Sequence, residues 1–173
     1  MQTLAYWKTV TADASGLLDR VVGLLASSGL RYCIIGGQAV NAYVEPVVSL
    51  DLDIAVAAED LAAAEDLLRD HFKVERSPLS VNASLAGSDL RVQLQTDPRY
   101  AAFVPRASEH PVLGLVLPVA RLEDVLQGKI WAVQDSSRRP SKRQKDLADV
   151  SRLLEAHPEL RSQVPPEVFS RLL

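Results

Sequence analysis

Apolar positions along this chain follow two rhythms, one helical and one alternating, and together they lay out the elements. Leu17, Leu18, Val21, Val22, Leu24 and Leu25 recur at helical spacing and predict a helix over residues 13–28, ended by Ser27-Ser28-Gly29. Arg31 to Ile35 reads as a short buried strand closed by Gly36-Gly37, and a second helix is expected from Gln38 to about Val44, before Pro46. Leu50 to Val56 alternates cleanly, as a strand does. An amphipathic helix over 59–71, a strand near Phe72–Glu75, and strands around 79–86 and 89–95 joined by Ala86-Gly87-Ser88 come next. A proline-containing loop, 97–111, precedes a strand over 112–117. Helices are expected at 121–134, 141–156 and 166–172, with Pro140 at the entrance of the middle one and Ser141 and Gln144 fitting a capping box. This order predicts an α+β fold, a mixed sheet flanked by helices: residues 1–120 form the core, and 121–173 a C-terminal helical segment packed on it as one structural unit.

Composition narrows the class without naming a chemistry. Apolar residues make up 47% of the 173 and charged residues 24%, a balance that supports one packed domain. The formal charge of -3 gives no global pull towards DNA or membrane, so sequence-specific DNA binding is not expected. Cys33 is the only cysteine, so no internal disulfide is possible, which suits a reducing compartment. The segment MQTLAYWKTV lacks an apolar export core and no run approaches a membrane span, so a cytoplasmic setting is expected.

The chemistry concentrates on two short stretches. In Leu50-Asp51-Leu52-Asp53-Ile54-Ala55-Val56, period two puts the apolar side chains on one face and Asp51, Asp53 and Ala55 on the other. Two aspartates on one strand face repel, and a magnesium ion, which prefers carboxylate and phosphate oxygens, would remove that repulsion. A wet strand face with two incidental acids is the plain alternative. Gly36-Gly37, at a strand-to-helix turn, leaves room for a phosphate and offers free backbone N–H groups. Only 13 residues separate Gly37 from Asp51, so phosphate cradle and metal carboxylates follow in the order a triphosphate site needs.

The segment IIGGQAVNAYVEPVVSLDLDIAV resembles the Gly-Gly … Asp-x-Asp core of the DNA polymerase β-like nucleotidyltransferase superfamily. It is most similar to the small bacterial group that includes the nucleotidyltransferase toxins of type IV toxin–antitoxin systems. Ser49 stands where those proteins commonly carry Thr or Ser, and LEDVLQGKIWA … RRPSKRQKDLADVSRLL is similar to their Lys … Lys-Asp … Asp helical segment. The resemblance is specific over about 30–57 and looser over 121–155. It implies a magnesium-dependent transfer of a nucleotidyl group from a nucleoside triphosphate to a hydroxyl on a small molecule, a protein or an RNA end. Gly36, Gly37 and Ser49 would then hold the nucleotide, Asp51 and Asp53 the metal, and Lys129 and Lys145 the phosphates.

One departure bears on activity. The superfamily places a third carboxylate on a neighbouring strand, where this chain has Arg91, Gln93 and Gln95 on the site-facing parity. An amide can ligate a metal but cannot take the acceptor's proton. Asp97 shares the parity, yet lies ~13 Å along the strand from Gln93 and ~7 Å from Gln95. A catalytically degenerate relative, binding a nucleotide or a partner protein without transfer, is therefore the rival reading. Arg138, Arg139, Lys142, Arg143 and Lys145 form a basic cluster that would grip a triphosphate or an RNA backbone, with a solvated helix end, Lys142 and Lys145 paired to Asp146 and Asp149, as its bland alternative. His71, His110 and His157 lack ligand spacing, Cys33 reads as core, and Trp131 and Tyr43 as packing residues.

Overall fold

A computed structural model describes residues 15–172. The readings of MQTLAYWKTV and of the helix start at 13–14 lie outside the described residues. Helix α1 (Leu17–Ser28) leads into β1 (Tyr32–Ile35), α2 (Gly36–Tyr43) and β2 (Asp51–Val56). Then come α3 (Leu61–His71), β3 (Lys73–Ser77), β4 (Ser80–Ser84) and β5 (Arg91–Gln95). A 3₁₀ segment (Pro98–Arg106) precedes β6 (Ser108–Val112) and β7 (Leu115–Val119), and α4 (Leu122–Gln134), α5 (Pro140–Ala156) and α6 (Pro166–Phe169) follow. No described helix is long and apolar enough to cross a membrane.

All seven strands join one mixed sheet in the order β3-β4-β5-β2-β1-β7-β6. β1 runs antiparallel to β2, while β2 and β5 are parallel, as are β1 and β7. Ile34, Leu52, Ile54, Val92, Leu94 and Val119 are essentially inaccessible and lock the four central strands together. Removing each such side chain from water contributes about 1.5–3 kcal/mol. The glycine-led helix α2 rests on β2, and α4 and α5 pack against it. The C-terminal helices thus lie over the same part of the sheet that carries Asp51 and Asp53.

Four local expectations are corrected. The single strand foreseen at 112–117 is the middle of a β6–β7 hairpin whose turn, Leu113-Gly114, has both residues at positive φ. The loop foreseen at 97–111 is largely 3₁₀ helix, started by the Asp97 carboxylate, which accepts from the Arg99 backbone N–H. α2 begins at Gly36 rather than Gln38, so the glycine pair is its first turn. α5 begins at Pro140 with Arg139 as its N-cap and no side-chain cap, so the Ser141–Gln144 box does not form.

Candidate active site

The site starts from the pairing of β1 with β2. Antiparallel register puts Ile35 opposite Asp53, and the next residue, Gly36, turns the chain into α2 directly over that carboxylate. Gly36 has φ 66°, and a Cβ built on it would fall on the Asp53 carboxylate, 2.8 Å from its Cγ. Only glycine permits both the conformation and the approach. Gly37 sits one step further, where a Cβ would stand 3.4 Å from the Ser49 hydroxyl.

Parallel pairing with β5 then aligns Asp51 with Arg91 and Asp53 with Gln93. Arg91 Nε lies 2.9 Å from one oxygen of Asp51, and Lys142 Nζ, from α5, lies 3.4 Å from the other. The Asp53 carboxylate has neither a hydrogen-bond nor an ion-pair partner among the described residues. Burial first, and then the neighbouring Asp51, push its pKa up to about 6. Both aspartates, Gly36, Gln93, Gln95 and Lys142 line one cavity of about 160 Å³. Tyr100 and Phe103, from the 3₁₀ segment, close its apolar side.

A magnesium ion fits this donor set. Two carboxylates on one strand face supply hard oxygens, the Gln93 amide lies beside them, and the unpartnered Asp53 carboxylate carries a repulsion that a cation would relieve. Among the described residues no group of three or more His, Cys, Asp or Glu side chains could hold a metal ion by itself. Magnesium held through two carboxylates therefore needs further oxygens from substrate phosphates and water.

The other expected residues are distributed unevenly. Ser49 is buried beside Gly37 and outside the cavity lining, with its backbone oxygen accepting from Gln38 Nε2 at 2.9 Å. Lys129 lines the cavity, but its ammonium lies 3.0 Å from Asp146 and 2.7 Å from Asp149. Burial works against that charge; Asp149 and Asp146 outweigh it and hold the ammonium above its ordinary range. Lys145 is exposed and outside the lining, whereas Lys142, three residues earlier on α5, reaches in. Arg138 pairs with Asp146 at 2.6 Å, and Asp149 also pairs with Arg152, so these acids are not the partners of Lys142 and Lys145. Asp97 is outside the lining of the cavity that holds Asp53 and is bound to Arg99 at 2.7 Å.

A wider groove of about 500 Å³ continues from the cavity past Gln95, Tyr100 and Lys142 to Arg139 and Leu79. Tyr100 and Trp131 line it and meet edge-on, and Phe103, on the cavity side, stacks on Trp131 at 5.7 Å. Arg99 lies 4.5 Å over Trp131. Tyr100 and Phe103 carry no signal in the sequence, because they fall in a segment without helical or alternating pattern. Lys142 stands within the basic cluster, four residues before the buried Asp146, a spacing that puts both on one side of α5.

No family model matches the chain, and no curated protein does. Solved structures do. The chain is similar to the crystal structure of ANT(2'')-Ia in complex with adenylyl-2''-tobramycin, at 15% identity and TM-score 0.65, over 91% of this chain and 97% of that one. It is similar to the lincomycin-bound lincosamide antibiotic adenylyltransferase LnuA, at 14% identity and TM-score 0.53, over 79% and 95% of the two chains. An antigenic nucleotidyltransferase-like protein from Paracoccidioides brasiliensis matches at 19% identity and TM-score 0.54, over 94% and 87%. At these identities the likeness concerns the backbone, and on that ground the chain has the nucleotidyltransferase-like fold, a seven-stranded mixed sheet flanked by helices.

Proposed function

We propose that the protein transfers a nucleotidyl group from a nucleoside triphosphate to a hydroxyl acceptor. The observation that carries this reading is the meeting of Asp51, Asp53 and the Cβ-free Gly36 turn in one cavity. Asp51 and Asp53 would hold magnesium. When bound, the ion would neutralise charge on the phosphates and the departing pyrophosphate. The Gly36-Gly37 turn, at the N-terminus of α2, would take a phosphate against free backbone N–H groups. Lys142, freed from Asp51, would neutralise a further phosphate oxygen, a role the resemblance alone gave to Lys129 and Lys145. The acceptor hydroxyl oxygen would attack the α-phosphorus, its proton passing to water, as the bond to the oxygen bridging the β-phosphate breaks and pyrophosphate leaves.

The acceptor remains a hydroxyl on a small molecule, a protein or an RNA end, and the antibiotic-bound neighbours favour the first. Kinship with the toxin group, a cytoplasmic setting and the division into a 1–120 core and a 121–173 segment belong to the same reading. A transfer screen with labelled triphosphates against cell extract, with Asp51→Asn/Asp53→Asn as the control, tests it. Label carried by the wild type and lost in the control supports transfer.

A second reading, nucleotide binding without transfer, is favoured by Gln93 standing in register with Asp53. The remaining acids of the cavity are engaged: Asp124 with Arg106 and Arg121, Asp146 with Lys129 and Arg138. Magnesium-dependent triphosphate binding without label transfer to any extract component would move the assignment to this reading.

A further inference from the structure

The backbone that delivers Asp51 to the cavity is held by side chains outside it. Residues 44–50, between α2 and β2, form no helix or strand, and Val47 and Val48 are 46% and 54% exposed. Apolar burial therefore does little to fix residues 45–48, and polar contacts take over at every second residue. The Glu45 carbonyl accepts from Arg152 Nη2 at 2.6 Å. Val47 is bracketed by Asn41: its N–H donates to Oδ1 at 3.0 Å and its carbonyl accepts from Nδ2 at 2.7 Å. The Ser49 carbonyl accepts from Gln38, which is 1% exposed. Asp51 and Asp53 are the next two positions of the same parity.

Arg152 ties the set together. The same Nη2 that reaches Glu45 also donates to Asn41 Oδ1 at 3.0 Å, while Nη1 donates to Asp149 at 2.8 Å. Asp149 is held in turn by Lys129, on the cavity wall. A planar fork with several fixed donors can span three acceptors at once, which an ammonium cannot. We infer that Arg152 is a positioning residue: through Asn41 and the Glu45 carbonyl it fixes the 45–49 segment, and so sets where Asp51 enters the cavity. The consequence for nucleotide binding rests on the function proposed above. The clamp itself does not.

The test uses the whole protein with Arg152→Lys, which retains a cation for Asp149 but loses the fork, and Asn41→Ala, which removes the bracket on Val47. Amide hydrogen exchange in the free protein is the first measurement. Exchange of the Val47 amide and its neighbours should quicken about tenfold or more in both variants, with β1 and α4 amides unchanged. The second measurement is the affinity for each of the four ribonucleoside triphosphates with magnesium, read by thermal shift. It should fall about tenfold in both variants. Unchanged exchange at 45–49 overturns the clamp, as does exchange that quickens throughout the molecule, the mark of a merely structural role. Quickened local exchange with undiminished affinity overturns the positioning of the site. If the wild type binds no triphosphate, the proposed function falls while exchange still decides the clamp.

Discussion

At Gly36 a left-handed backbone and the adjoining Asp53 carboxylate both exclude a side chain. Gly36→Ala should therefore destabilise the protein by about 1–3 kcal/mol from backbone strain alone, read by urea unfolding. Triphosphate-induced stabilisation should vanish in the same variant. Asp53 shows the opposite tension, because its ionised form is disfavoured in the fold. A carboxyl whose pKa rises on folding to about 6 contributes stability that is present below its unfolded value, near 4, and is lost as pH rises through 6. In metal-free buffer, Asp53→Asn should thus raise the melting temperature at pH 7.5–8 and change it little at pH 4, where the folded Asp53 carboxyl is protonated. A gain independent of pH would show that packing, not charge, is responsible. With magnesium and triphosphate the order should invert, since only the wild type is stabilised by ligand.

Among the elements, α4 and α5 meet through a buried charge cluster rather than an apolar seam alone. Lys129 is nearly enclosed, and its removal leaves Asp146 and Asp149 with less compensation. Lys129→Ala should cost about 3–5 kcal/mol. Lys145→Ala, on the exposed side of α5, should stay within about 0.5 kcal/mol. Urea midpoints of the two variants check this contrast, and equal effects would contradict the buried pairing. Element by element, the sequence was legible where one period ruled. The β2 alternation, the helix at 122–134 and the β4–β5 pair follow directly from it. The β6–β7 hairpin was not legible, because Leu113 sits apolar in a two-residue turn and blends two strands into one run. The face of α5 was hidden for a related reason: Asp146 and Asp149 are charged yet buried, and pattern alone places them in water.

On the scale of the whole molecule, the candidate site was legible in its acids and glycines, which lie close together in sequence. Lys142 was legible only as one member of a basic cluster, and Tyr100 and Phe103 were not legible, because they arrive from a segment whose placement depends on the full sheet. Gln93, in register with Asp53 where the resemblance implies a third acid, can be probed directly. Gln93→Asp or Gln93→Glu adds a carboxylate in register with Asp53, so stability should drop without magnesium and magnesium affinity should rise. A positioned base contributes about 10²–10⁴-fold to such transfers, and any measured rate should increase towards that range. Gln95→Asp is the companion variant for the next cavity-facing position. If none of the three alters magnesium affinity, β5 does not border the metal.

The parallel join between β1 and β7 also governs how the molecule comes into being. Ile34 pairs with Val119, and the Ala120 N–H donates to the Ile34 carbonyl at 3.0 Å, so the chain must close a very long loop to complete the pairing of β1. Contacts of such sequence separation form slowly and late. β1 and β2 can pair early as neighbours in sequence, but β1 keeps an open edge until residue 119 is available. During synthesis, Gly36, Asp51 and Asp53 emerge long before α4 and α5, which supply Lys129 and Lys142. In refolding from urea, triphosphate binding should accordingly return with the slowest phase, after most helical signal has recovered, and a chain cut before β7 should aggregate through the open edge of β1.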